Sequence, residues 1–170
     1  RFNNIYGDVF TIPEAYIGKK GAKIMSLQEP GKKMSKSDTN ANATILLLDD
    51  TDTIIRKFKR AVTDSESEVR YAEEKPGISN LMDIYSAVTG KTYEEIEKEF
   101  AGKGYGDFKL AVGETVADHL KPLQERYEQL MKDKAYIESM IKQNDEKAAY
   151  YANKTLRKVQ KKVGLTERIR

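Results

Sequence analysis

The 170-residue sequence contains no cysteine and a single histidine, His119. The missing thiols exclude disulfides, thiolate metal sites and cysteine nucleophiles, and one imidazole cannot build a multi-histidine metal centre. Long apolar runs are absent too. The longest aliphatic run, Ile45 to Leu48, falls far short of the roughly 18 residues a membrane helix needs. The chain opens Arg1-Phe2-Asn3-Asn4, without an initiator methionine or the charged-then-apolar pattern of a signal peptide. It reads as a fragment of a cytoplasmic protein. With 39% hydrophobic residues, the chain can form a packed core as one ordinary domain or two small ones.

The charge is uneven. Residues 147–170 hold Lys147, Lys154, Arg157, Lys158, Lys161, Lys162, Arg168 and Arg170 against Glu167 alone, while the whole chain carries only +3, so the remainder is net negative. A basic tail on a mildly acidic body suits a polyanionic partner, with nucleic acid the first candidate.

Gly7, Pro13, Gly18, Gly21, Pro30 and Gly31 break the first fifty residues into short pieces. Among them, Ala22 to Leu27 is expected as a short buried strand. A helix is expected from Asp50 to about Thr63, capped by Asp50 or Thr51, with Ile54, Ile55, Phe58 and Val62 on one face. The charged stretch from Asp64 to Pro76 reads as a linker. Beyond it the pattern is helical throughout. Ser79 is expected to cap a helix closed by Gly90, and Thr92 with Glu95 spells a capping box. Asp107 is placed to cap a long helix with a stripe of Phe108, Val112, Val116, Leu120, Leu123, Tyr127 and Leu130, which Pro122 should kink or split near His119. Two more helices are expected, at Ala135–Ile141 and Asp145–Val163. The second carries Ala148, Tyr151, Ala152, Leu156, Val159 and Val163 on one face. Asp49, Asp50 and Asp52 read as capping charges and His119 as a packing residue.

The stretch most able to carry chemistry is Lys32-Lys33-Met34-Ser35-Lys36-Ser37-Asp38, on a turn-prone segment hinged at Pro30 and Gly31. Two lysines three apart, interleaved with hydroxyls, can surround a triphosphate. Where a carboxylate attacks the α-phosphorus of ATP, charge builds on the leaving pyrophosphate. Cations delivered there by a movable loop lower the barrier.

Lys33-Met-Ser-Lys-Ser37 is the KMSKS signature of class I aminoacyl-tRNA synthetases, a string expected by chance on the order of once in ten thousand. Five neighbouring segments join it: Gly21-Ala-Lys-Ile-Met-Ser-Leu-Gln-Glu-Pro30, Leu46-Leu-Leu-Asp-Asp50, Lys59-Arg-Ala-Val-Thr-Asp-Ser65, Gly77-Ile-Ser-Asn-Leu81 and Tyr105-Gly-Asp-Phe-Lys109. Together they resemble bacterial tryptophanyl-tRNA synthetases over essentially the whole chain.

That resemblance implies a mainly α chain: the C-terminal edge of a Rossmann-like α/β catalytic domain over residues 1–64, a linker at 65–76, and an α-helical bundle anticodon-binding domain at 77–170. It implies that Lys33 and Lys36 contact the phosphates of ATP, which brings Mg2+, with Met34, Ser35 and Ser37 completing the loop. Ile24 would lie against adenine or serve as plain core. The resemblance also implies tRNA(Trp) on the cationic ridge of Lys154, Arg157, Lys158, Lys161 and Lys162, with Tyr150 free to stack on a base. Tryptophan is a substrate and homodimerisation a property of the full-length enzyme only. No HIGH-type motif is present, so this chain alone is expected to be inactive. A tyrosyl-tRNA synthetase fragment and a free-standing helical RNA-binding module are the alternatives.

Overall fold

A computed structural model describes residues 1–18 and 21–165. The described residues form six helices: α1 (Phe2–Tyr6), α2 (Thr51–Lys59), α3 (Pro76–Thr89), α4 (Tyr93–Glu99), α5 (Tyr105–Met131) and α6 (Lys134–Val163). The chain divides into two compact units, Ile17–Tyr127 and the combination of Arg1–Tyr16 with Glu128–Arg170.

In the Ile17–Tyr127 unit, α3 is the axis of the core. Ile78, Leu81, Met82, Ile84 and Tyr85 are all buried, and Phe58 of α2, Ile96 of α4 and Phe108 and Val112 of α5 belong to the same cluster. Each large apolar side chain so enclosed contributes roughly 1.5–3 kcal/mol. Tyr85, Phe100 and Phe108 meet edge to face, with centroids 4.8–5.9 Å apart. Two glycines set how closely the pieces approach. A Cβ on Gly113 of α5 would stand 3.0 Å from the Ile55 Cα of α2, and one on Gly77 of α3 would stand 2.3 Å from the Val62 carbonyl oxygen.

Several helix ends follow the expected chemistry. Asp50 caps α2 by accepting the Thr53 N–H at 2.7 Å, Thr92 and Glu95 complete the capping box of α4, and Gly90 closes α3 in the left-handed conformation. Ser79 does not cap. Pro76 starts α3 three residues earlier, its fixed φ suiting the first helical position. The Ser79 hydroxyl instead exchanges two hydrogen bonds with the backbone of Ala72. The α2 helix ends at Lys59 rather than near Thr63, because Val62 turns away to donate its N–H to the Leu27 carbonyl.

The stretch between α2 and α3 has no helix or strand, yet it is pinned to the core. Val69 and Lys75 are buried. The Lys75 ammonium group pairs with Glu66 at 2.5 Å and donates to the Tyr105 hydroxyl at 2.9 Å, and that hydroxyl donates to Asp64 at 2.8 Å. Burial works against the charge on Lys75, but its hydrogen bonds to Glu66 and Tyr105 outweigh it and hold the ammonium charged. Asp64 behaves alike: burial opposes its charge, while the Tyr105 hydroxyl, the Glu66 N–H and Lys75 hold it below the usual carboxylate range.

Four expectations need correction. Ala22–Leu27 is no strand: among the described residues the only β contact is an isolated antiparallel bridge between Met25 and Lys33. Its backbone groups find partners, but from a tight hairpin, a helix side chain and a loop rather than from one neighbouring strand. Of the kink or split expected at Pro122, the split is absent, since α5 runs through it as one helix. Asp118, whose carbonyl loses a partner there, is exposed, so water can replace the missing bond. The apolar stripe stops being buried after Ala117, with Leu123 and Tyr127 more than 40% exposed. His119, read as a packing residue, is exposed.

In the other unit, Asn3 folds the first ten residues. Its amide accepts the N–H groups of Val9 and Phe10 and donates to the Phe10 carbonyl, gathering Phe2, Tyr6 and Phe10 into an aromatic cluster. The two helices expected at Ala135–Ile141 and Asp145–Val163 are one, because Lys142, Gln143 and Asn144 include no breaker. Asp133 caps it through the Tyr136 N–H. No α6 residue is fully buried, and of its expected apolar face only Val159 and Val163 are partly covered. No helix among the described residues is long and apolar enough to cross a membrane.

Gly77 is the position least able to accept a side chain. The Gly77→Ala variant is expected to lose about 2–3 kcal/mol by overpacking against Val62, read as a lower urea midpoint at unchanged slope. A variant as stable as the parent would show that the close approach is not required.

Candidate functional site

The segment from Lys33 to Asp38 forms a compact turn on a short hairpin stem. In the stem, Ser26 N–H donates to the Lys32 carbonyl at 2.8 Å and Met34 N–H donates to the Ile24 carbonyl at 3.0 Å. The buried Ser26 hydroxyl accepts the N–H groups of Gln28 and Glu29 and so rounds the hairpin. At the head, Asp38 N–H closes onto the Ser35 carbonyl at 3.2 Å, and the Ser35 hydroxyl meets both the Ser37 N–H and the Ser37 hydroxyl.

Ile24 and Met34 are half-buried and pack against the core, which fixes the root of the turn. Lys33, Ser35, Lys36 and Ser37 are exposed. Among the described residues, no hydrogen bond or ion pair engages the Lys33 or Lys36 ammonium group. This contrasts with Lys32, which pairs with Glu29. The structure thus holds two exposed, uncommitted cations and two hydroxyls on one tight turn, a set suited to an anion bearing several charges.

Three supports of this turn lie outside the motif, and the sequence reading missed all three. The first is Asn80 on α3, 3% exposed. Its amide oxygen accepts the Met25 N–H at 2.8 Å and its amide nitrogen donates to the Met25 carbonyl at 2.9 Å, so one side chain satisfies both backbone groups of a stem residue. The others are Thr44 and Lys57. The Thr44 hydroxyl donates to the Ser35 carbonyl at 2.7 Å. The buried Lys57 ammonium donates to the Thr44 carbonyl at 2.9 Å and pairs with Asp49 at 2.6 Å. Asp49 was expected as a capping charge, but Asp50 makes the cap and Asp52 is the acidic residue of the first turn. Asp49 instead accepts from Lys57 and from Leu46 N–H.

The second group of candidate residues lies on the last three turns of α6. Lys154, Arg157, Lys158, Lys161 and Lys162 are all exposed, and Arg157, Lys158 and Lys161 line a shallow hollow of about 300 Å³ with Leu165. Tyr150 and Tyr151, both more than 60% exposed, stand edge to face on the same helix. Glu167, Arg168 and Arg170, counted in the basic tail, lie outside the described residues.

Residues 1–121 match the family described as tRNA synthetases class I (W and Y). The chain belongs to that family, and it has a mainly helical, class I synthetase-like fold. Its curated relatives include the tryptophan–tRNA ligase of Clostridium tetani, 52% identical over 96% of this chain and 48% of the relative. The tryptophan–tRNA ligase of Clostridium perfringens is 51% identical over 99% of this chain and 51% of the relative. The structure also superposes on the tryptophanyl-tRNA synthetase of Mycoplasma pneumoniae with a TM-score of 0.85 at 27% identity, covering 97% of this chain and 50% of that one. A Campylobacter jejuni tryptophanyl-tRNA synthetase complexed with ADP and tryptophane matches at a TM-score of 0.65 and 26% identity. The chain spans about half the length of the curated relatives it matches.

Replacing Asn80 by leucine keeps much of the shape and strands both backbone groups of Met25. The loss is expected at about 2–4 kcal/mol in urea unfolding. A cost under about 0.5 kcal/mol would mean that water or another group serves Met25 equally well.

Proposed function

We propose that this chain supplies the ATP-handling loop and the tRNA-binding helices of a tryptophan–tRNA ligase, which joins L-tryptophan to tRNA(Trp) with conversion of ATP to AMP and diphosphate. The observation that carries the reading is the turn itself, with Lys33 and Lys36 exposed and, among the described residues, unengaged on a root that the core holds in place. The family match supports the reaction class. Identities near 51% to tryptophan–tRNA ligases support tryptophan over tyrosine.

In this reading residues 1–64 form the C-terminal edge of the Rossmann-like catalytic domain and residues 77–170 the anticodon-binding helices, joined through 65–76. ATP enters with Mg2+ as part of the substrate. The turn offers ammonium groups, hydroxyls and N–H groups, which suit phosphate oxygens and not a hard-cation cage. Lys33 and Lys36 meet the β- and γ-phosphates, and the Ser35 and Ser37 hydroxyls donate at short range. Ile24 forms an apolar wall beside the purine. As the tryptophan carboxylate attacks the α-phosphorus, the α–β bridging bond breaks and negative charge grows on the departing pyrophosphate. Cations that reach it only then stabilise the transition state more than the ground state.

The ridge of Lys154, Arg157, Lys158, Lys161 and Lys162 neutralises phosphates of the anticodon arm, and Tyr150 is placed to stack on an unpaired base. The full-length enzyme works as a cytoplasmic homodimer, while this chain alone is not a competent catalyst.

In the full-length enzyme carrying this chain, Lys33→Ala with Lys36→Ala is expected to lower kcat for tryptophan-dependent ATP–pyrophosphate exchange by roughly a hundredfold or more, with little change in KM for tryptophan. The isolated chain is expected to show no exchange. An unaltered kcat in the double variant would refute the assignment of the loop.

A further inference from the structure

Two of the supports around the turn, Thr44 and Lys57, form one line of hydrogen bonds with Asp49. The Lys57 ammonium, 5% exposed on α2, is held by the Asp49 carboxylate at 2.6 Å and donates to the Thr44 carbonyl at 2.9 Å. Asp49 is itself held, accepting the Leu46 N–H at 2.9 Å and giving its own carbonyl to the Gln124 amide of α5, also at 2.9 Å. Thr44 is 9% exposed, and the neighbouring Ala43 carbonyl takes the Leu27 N–H. The backbone at 43–44 is therefore fixed on both sides. From that fixed point the Thr44 hydroxyl reaches the Ser35 carbonyl at 2.7 Å, a bond between residues nine apart.

The Ser35 carbonyl is a particular place to pull. It already accepts the Asp38 N–H that closes the turn, so its second lone pair is the only further backbone-level tether this turn head has among the described residues. The stem is anchored separately through Asn80 and through Met34. Losing the Thr44 bond would leave the stem formed, while the 35–38 turn, held then only by its own internal bonds, would swing and open more often.

We propose that Thr44 and Lys57 are positioning residues of the phosphate loop. Lys57 locks the Thr44 backbone, and the Thr44 hydroxyl is a single-bond latch that sets where the Lys33 and Lys36 ammonium groups are held before a nucleotide arrives. The role rests on the reading of Lys33–Ser37 as that loop. It accounts for a buried lysine whose ammonium is spent on one carboxylate and on one carbonyl 13 residues away in sequence, where capping of α2 needs only Asp50. A latch of one neutral hydrogen bond suits a part that must move. It holds a resting position and yields when stronger, charge-assisted contacts to phosphate form.

The test uses the chain as it is, by amide hydrogen exchange. Thr44→Val keeps the branched shape and removes the donor, and Thr44→Ser keeps the donor. With Thr44→Val, the Ser37 and Asp38 amides are expected to exchange roughly five- to tenfold faster, the equivalent of one ordinary hydrogen bond. The Leu81 and Met82 amides in buried α3 should keep their parental rates. Thr44→Ser should restore the loop rates. Lys57→Met is expected to accelerate the same two amides, since it releases the Thr44 carbonyl.

Parental loop rates in Thr44→Val would overturn the latch. So would a serine variant no better than valine, or α3 amides that accelerate as much as the loop, which would mark a general loss of stability. A separate arm adds MgATP to the full-length enzyme. If Ser37 and Asp38 gain no protection there while the Thr44 variants behave as expected, the nucleotide reading fails and the latch stands.

Discussion

Met25 has two backbone hydrogen-bonding groups facing a helix, and a helix has no free backbone to give them. The side chain of Asn80 meets both. This pair of bonds, 2.8 and 2.9 Å long, does for one residue what a neighbouring strand would do in a sheet, and most of the candidate site depends on it. With Met25 docked on α3, Ile24 and Met34 reach the core, the Ser26 turn closes, and the stem presents Lys33 to Asp38 outward. Left unmet in a half-buried place, the same two groups would oppose docking by about 1–3 kcal/mol each.

The close packing of α3 against the α2 end makes this docking possible. Gly77 lets the helix approach the Val62 carbonyl, while Val62 N–H holds Leu27, two residues beyond Met25. A helix-borne amide from α3 and a backbone contact from the chain after α2 thus converge on the same short stem, while the buried ammonium of α2 reaches the turn head through Thr44. The outcome is a rigid root under an exposed head. That division suits the proposed role of the turn, in which the root would fix where the ammonium groups start and the head would keep the freedom to follow a developing charge.

Local chemistry was legible in the sequence wherever the partner is near in the chain. Asp50, the Thr92–Glu95 box and the Gly90 stop are all contacts within a few residues, and the KMSKS string identified the turn by its own letters. What was not legible depends on residues far apart. Asn80 is an ordinary polar residue in a helical pattern until its position opposite Met25, 55 residues earlier, is known. Asp49 looks like one of three capping charges until Lys57 is seen beneath it. The expected strand at Ala22–Leu27 failed because alternation of apolar residues says that a segment is half-buried, not what stands beside it. The overextended stripe of α5 failed likewise, since periodicity marks a face without saying how far its cover reaches. The exposure of the basic residues near the end of α6 could be read because charged groups favour solvent wherever the chain folds.

The docking of the stem on α3 is tested most directly by a through-hydrogen-bond scalar coupling between the Met25 amide nitrogen and the Asn80 side-chain carbonyl carbon, in uniformly labelled protein. The account expects a resolved coupling, together with slow solvent exchange of the Met25 amide. No coupling, with Met25 exchanging as fast as an open loop amide, would show that the stem does not rest on Asn80 and would remove the foundation assigned to the turn.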